Sequence, residues 1–473
     1  MNGDLPEVVF REELRIEGTF SSVREKSVDV FCEIKRVKYS HNSEIKFKAR
    51  SRIADDRSLT HLIRSGNLVL RGTLHRYFQV YAECVVLSAG DDFIEGIVKC
   101  IDIGDFTFSD QPERQTVLVR FTPCPIAEPE VTSLVRYWTG EIRPYREEDG
   151  NRDVNLDTDI GVASFSRHSV YEDAQVDNMV ANVQVPVPTL SITVNEVDLT
   201  NNLHYLIERL TYFLGSLETL LSFLSRRQVR WVQIEVVTEL GGEAGIKSAR
   251  RLQTAYGSDL PPEPLVVPAR LETSDLGSLM SAFQESQYQE PVEHAVHYLN
   301  SHWRPGFIEG KFGNAFIGFE TLINGISSVD GSDTTLSQRM FKRLRGEIDR
   351  HIKRFAEENS ISIECRKELY GKVGELQRRP IIPRALQLIE LYAVPWRDLW
   401  PQGADLEVEL RKAYSRRSKF MHTGKIDDYR AAIADAQRVH SLGERLIYNL
   451  VGAKRAWLHP AAYSSSNLLQ RGS

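Results

Sequence analysis

Arg416-Arg417-Ser418-Lys419-Phe420-Met421-His422-Thr423-Gly424 closes an amphipathic run that begins at Leu406. Apolar residues stand at Leu406, Leu410, Ala413, Tyr414, Phe420 and Met421, the spacing of one helix face. Arg417 falls on that face, four residues after Ala413 and three before Phe420. A guanidinium within an apolar stripe is costly to bury unless it is paired. Thr423 and Gly424 mark the helix end, which places His422 in the last turn. An arginine on the inner line and a histidine at the helix end are expected to face one shared crevice.

The helical period extends back from this run to Pro291. Val292, Ala295, Val296, Leu299 and Trp303 mark one helix, and Phe312, Phe316, Phe319, Ile323 and Ile326 a second. Leu336, Met340, Leu344, Ile348, Ile352 and Phe355 mark a third, capped by Asp333 or Thr334. Cys365, Leu369, Val373 and Leu376 mark a fourth, and a shorter helix follows Pro383. After the Arg416–Gly424 run, Asp427 or Asp428 caps a last helix through Ile433, Val439, Leu446 and Leu450.

Before Pro291 the period is different. Leu14–Phe20, Ser27–Ile34, Asn67–Leu74, Val80–Leu87, Gly96–Ile101 and Thr116–Phe121 are strand-like, several of them alternating, with Gly and Asn between them. Short strands of this kind predict an antiparallel sandwich or barrel. Asn182–Val194 adds a strand in which Pro186 and Pro188 favour an edge. A long helix spans about Leu199–Ser225 with Asn201 or Asn202 as cap, and Val229–Val237 and Leu265–Val267 return to strand, the latter after the Pro-rich Pro261–Pro264. The expected fold class is therefore α+β: a strand-rich region over 1–285, an all-α bundle over 291–455 and a loose tail over 456–473.

Two places in the helical part resemble the HEPN family, in particular its ApeA-like branch. One is Arg417-Ser418-x3-His422 followed by Gly424, similar to the family's Arg-x4-6-His signature, with Ser418 where many members have Asn. The other is Phe316-Ile317-Gly318-Phe319-Glu320-Thr321-Leu322-Ile323, similar to the aromatic-x-x-x-Glu-x-Leu helix of that branch. The resemblance covers about Pro291–Val451. It implies a metal-independent endoribonuclease without cofactor, in which the RNA 2′-OH attacks the adjacent phosphate and leaves a cyclic phosphate. His422 then moves protons, Arg417 stabilises the phosphate, and Glu320 orients one of them. Ser418, Arg416 and Lys419 are expected to contact the substrate. The resemblance also implies a homodimer, a role in antiphage defence by abortive infection, and control of the nuclease by the strand-rich region, through a phage-derived trigger. The competing reading is a non-catalytic HEPN module that binds a partner or a nucleotide. There Arg417 serves as structural partner of Glu320, and His422 is a cation favoured by the helix dipole.

The totals agree with a globular chain: 473 residues, 41% hydrophobic and 26% charged. Five cysteines without a Cys-x-x-Cys pair argue against a structural zinc site and a disulfide framework. Cys365 is expected in the core, and His294 with His297 lacks a third ligand at metal-site spacing. The acidic run Glu147–Asp153 does not match an EF-hand loop and is expected to be a solvated turn. No apolar run approaches the length of a membrane span and no basic-then-apolar leader opens the chain, so the expected location is cytoplasmic. The net charge of −6 is uneven: 19 Lys and Arg against 12 Asp and Glu between Leu336 and His422 leave +7 there and −13 elsewhere. A basic segment of this kind suits a polyanionic substrate, or is simply a set of solvated helix faces.

Overall fold

A computed structural model describes residues 13–453 except 23–26, 37–41, 53–66, 75–77, 91–92, 123, 125–132, 137–141, 146–154, 177–178, 241–245, 257–272 and 303–306. The run Glu147–Asp153, the stretch Pro261–Val267 and the tail expected over 456–473 lie outside the described residues. The chain is α+β and divides into two compact units, Met1–Met280 and Ser281–Ser473.

The first unit is built on strands β1 (Glu13–Ser22), β2 (Ser27–Arg36), β3 (Asn42–Ser43), β4 (Ile45–Ser51), β5 (Asn67–Leu74), β6 (Phe78–Ala89), β7 (Phe93–Gly104) and β8 (Pro112–Phe121). There follow β9 (Ser133–Arg136), β10 (Ile142–Tyr145), β11 (Asn155–Thr158), β12 (Gly161–Val176), β13 (Met179–Val194), β14 (Trp231–Leu240), β15 (Ile246–Gln253) and β16 (Ala255–Tyr256). Six of them close a barrel in the order β7-β4-β2-β1-β5-β6, with β6 pairing back to β7. Alternation explains the closure. β4 buries every second residue, Ile45, Phe47 and Ala49, and its neighbours send Ile16, Phe20, Val30, Cys32, Leu70 and Ala82 to the same interior.

One edge of β7 is shared. Phe93–Ile97 pairs with β4, and Cys100–Gly104 pairs with β15. That change of partner opens the barrel into a second sheet ordered β15-β14-β8-β13-β12-β11. Pro186 and Pro188 sit where β13 pairs with β12 but not with β8, whose ladder begins at Thr189, so the missing N–H groups face an unpaired side. Helix α1 (Leu203–Ser225) packs on β14; Asn202 caps it, accepting from the Tyr205 amide at 3.3 Å.

Gly96 marks the tightest approach in the barrel. A Cβ there would lie 1.9 Å from the Val85 carbonyl oxygen, beside a register shift between Val86 and Ser88. Because the obstacle is backbone, relief requires opening the β6–β7 pair. Gly96→Ala is expected to destabilise this unit by about 3 kcal/mol, read as a lower urea midpoint; an unchanged midpoint would contradict the packing.

Thr273–Glu285 forms helix α2, which the sequence did not predict, and the division between the units falls within it. The second unit continues with α3 (Gln289–His302), α4 (Ile308–Val329), α5 (Gln338–Glu358), α6 (Ile363–Glu375), α7 (Ile381–Leu391), a 3-10 turn at Arg397–Leu399, α8 (Leu406–Thr423) and α9 (Tyr429–Leu450). α4 is the centre, packed by α3, α7, α8 and α9. Phe312, Phe316, Phe319, Leu322, Ile323 and Ile326 are almost fully buried along it, and each contributes about 2–3 kcal/mol by leaving water.

Two expectations need correction. Ser337, not Asp333 or Thr334, caps α5, because the backbone at Thr334 is held in a bridge to Arg378. Cys365 is exposed rather than in a core. The reason is local: α5 and α6 pack chiefly on each other, and their apolar line at Met340, Leu344, Phe355, Leu369 and Leu376 stays open to solvent. Among the described residues no helix is long and apolar enough to cross a membrane.

Candidate functional site

The Arg417–His422 run lies within one unbroken helix. Asp405 caps the start of α8 by accepting from the Val408 amide at 3.1 Å. Gly424 ends it in the left-handed region at φ 66°, donating its N–H to Phe420. Leu406, Leu410 and Ala413 are the buried line. Arg417 continues that line and meets α4, where its Nη2 donates to Glu320 Oε2 at 3.0 Å. Both side chains are about a quarter exposed, so the pair sits at the rim of the bundle rather than in its core. Burial pushes the Glu320 carboxyl up, and the Arg417 guanidinium opposes that shift.

Tyr414, one turn before Arg417, joins this rim. Its ring meets Phe316 edge-on with centroids 5.2 Å apart, while its hydroxyl is shut off from solvent and has no hydrogen-bond partner among the described residues. Burial pushes that phenol well above its ordinary value, and the nearby Glu320 carboxylate pushes the same way.

The other residues singled out from the sequence go elsewhere. Arg416 turns to α9 and binds Asp435 at 2.5 Å, an acid only 2% exposed, so its charge is balanced inside the bundle. Lys419 pairs with Asp427 in the exposed turn after the helix. Ser418 and His422 are exposed, one turn apart on a common line. Five helical steps rotate His422 by about 140° from Arg417. The run thus splits into an inner half, Arg417 with Glu320, and an outer half, Ser418, Lys419 and His422.

Each unit also has a cleft lined by other residues. The second unit has a cleft of about 1420 Å³ at the opposite end of α8, bounded by Trp396, Trp400 and Leu406. The first unit has a cleft of about 520 Å³ at the seam where β15 joins β7. There Arg251 makes a two-pronged bond to Asp102, 2.7 and 2.8 Å, and lies 3.1 Å from His204 Nδ1. A guanidinium only donates, so Nδ1 accepts and the imidazole proton sits on Nε2. Phe106 stacks on His204 with centroids 4.5 Å apart, and Arg71 and Tyr81 complete the wall. The sequence contained no signal for this cluster, since its members are spread from Arg71 to Arg251 and meet only through sheet pairing.

No protein-family model matches the chain, and comparison with curated proteins and with solved structures finds no match either.

Proposed function

We propose that the helical unit is a HEPN-type endoribonuclease, acting as a homodimer on single-stranded RNA. The observation that carries this reading is the Arg417–Glu320 pair at the bundle rim, with a solvent-open imidazole five residues on along the same helix. Glu320 fixes the guanidinium fork, which is suited to a phosphate. His422 has free access to solvent and is the proton carrier. Because the two groups lie about 140° apart on α8, a second chain facing the first supplies the missing side of the cleft. Ser418 and Lys419 border His422 and contact the RNA, and Arg416 acts by holding α8 on α9. No metal is needed for 2′-OH attack on the adjacent phosphate.

In the same proposal the strand-rich unit regulates the nuclease. Its cleft at Arg71, Asp102, His204 and Arg251 is ligand-sized and is where we place the trigger, of phage origin in a defence role in the cytoplasm. The same 140° separation favours a second reading, a non-catalytic HEPN module in which Arg417–Glu320 only pins α8 to α4. End chemistry separates the two. Single-stranded RNA incubated with the purified chain in chelator is expected to acquire 2′,3′-cyclic phosphate ends. Intact RNA would leave the non-catalytic reading, and fragments with 3′-hydroxyl ends would show a cleavage chemistry other than 2′-OH attack.

A further inference from the structure

Arg384, on the first turn of α7, is only 6% exposed. Its Nε donates to the Pro380 carbonyl at 3.4 Å, a long bond within its own turn. Among the described residues no carboxylate forms an ion pair with it. Burial pushes this guanidinium below its ordinary value; Asp333 opposes that, while Arg378 and Arg379 add to it. A covered cation without a counter-ion is destabilising unless something else brings the negative charge.

Two further arginines add positive charge beside it. The segment Gln377–Arg379 is pinned to Asp333–Thr335 by two backbone hydrogen bonds of 2.8 Å, from the Arg379 N–H to the Asp333 carbonyl and from the Thr335 N–H to the Gln377 carbonyl. This holds Arg378 and Arg379 beside Arg384. Among the described residues Arg378, which is exposed, has no acid partner, and Arg379 bonds the neutral Gln387, at 2.5 Å. The start of α7 has no side-chain cap, because Pro380 occupies the capping position. Toward the motif, α7 packs on α8, where the Tyr414 hydroxyl has no hydrogen-bond partner among the described residues and feels the charges of both Arg384 and the Arg417–Glu320 pair. Three guanidiniums therefore gather at the start of the helix that packs on α8, the helix carrying Arg417, with Asp333 opposing the shift of Arg384.

We infer that Arg384, with Arg378 and Arg379, forms a subsite for the RNA phosphodiester neighbouring the one held at Arg417, a role that rests on the ribonuclease reading. Binding is measured with the full chain carrying His422→Ala, so that cleavage does not intervene. The probe is a fluorescein-labelled single-stranded RNA of about 12 nucleotides, titrated between about 50 and 200 mM salt. Arg384→Gln and the double variant Arg378→Ala/Arg379→Ala are each expected to weaken binding about tenfold. The double variant should also flatten the slope of log affinity against log salt by about 1.4, the value for two single-strand phosphate contacts. Both variants binding like the parent, with the parental slope, would overturn the subsite. The double variant lies at the surface and decides the matter if Arg384→Gln fails to fold. A parent that binds no RNA overturns the subsite too. A wild-type chain that does not cut, while binding still depends on these arginines, removes the catalytic reading alone.

Discussion

His422→Ala is expected to lower RNA cleavage by 10²–10⁴, roughly 3–5 kcal/mol of transition-state stabilisation, with no loss of fold. The imidazole is exposed, in the last turn of α8, and makes no side-chain hydrogen bond or ion pair among the described residues. Its removal leaves no cavity and no orphaned partner, so the urea midpoint should stay where it is. Arg417→Ala should behave differently. It also removes cleavage, but it leaves Glu320 partly buried with its carboxyl already pushed up by burial. Without the guanidinium that carboxyl shifts further up, and the α4–α8 contact weakens. Glu320→Gln in the Arg417→Ala background should recover part of the midpoint and none of the activity. The measurements are initial rates on a labelled RNA and urea midpoints for the same four proteins. Cleavage by His422→Ala at the wild-type rate would end the ribonuclease reading. Loss of activity matched by an equal loss of midpoint in His422→Ala would show a structural role instead.

The comparison of Arg416 with Arg417 shows where the sequence stops being informative. Adjacent arginines near one apolar stripe differ by 100° on the helix, and the stripe correctly marks Arg417 as the inner one. That Arg416 would find a buried acid depended on Asp435, in the next helix, which no local pattern reveals. The same limit applies to the strands. Asn67–Leu74 was legible to the residue because one of its faces is buried along its length. The closure of β6 on β7, and the change of partner from β4 to β15, join residues far apart in the chain and leave no periodic trace. Helix α2 was missed because Ser, Thr and Gly dilute its apolar spacing. In α5 the sequence shows a strong apolar line and the single chain leaves it uncovered, so periodicity marked the face but not what covers it.

Acid should loosen the helical unit through one buried imidazole. His302, at the end of α3, is 7% exposed and stacks on His440 with centroids 4.6 Å apart. Its Nδ1 lies 3.0 Å from the Lys311 carbonyl, which only accepts, so that nitrogen carries a proton and donates it. Burial lowers its pKa to about 3, with His440 adding to the shift and the Lys311 carbonyl and the Glu444 carboxylate opposing it. In the unfolded chain the same ring takes its proton near 6.5. Between these values the unfolded state binds more protons than the folded one, so stability falls as pH falls. The loss begins below the unfolded value, amounts to about 2 kcal/mol by pH 5, and reaches about 4 kcal/mol near pH 3. His302→Phe keeps the ring stack but cannot titrate. It gives up the bond to Lys311, so it should start with a lower urea midpoint at pH 7.5 and then lose less than the wild type on going to pH 5. Parallel decline in the two proteins would place the acid sensitivity elsewhere. A smaller decline in His302→Phe would locate it in the interior where α3 and α9 meet, and so separate acid unfolding from any pH dependence of cleavage at His422.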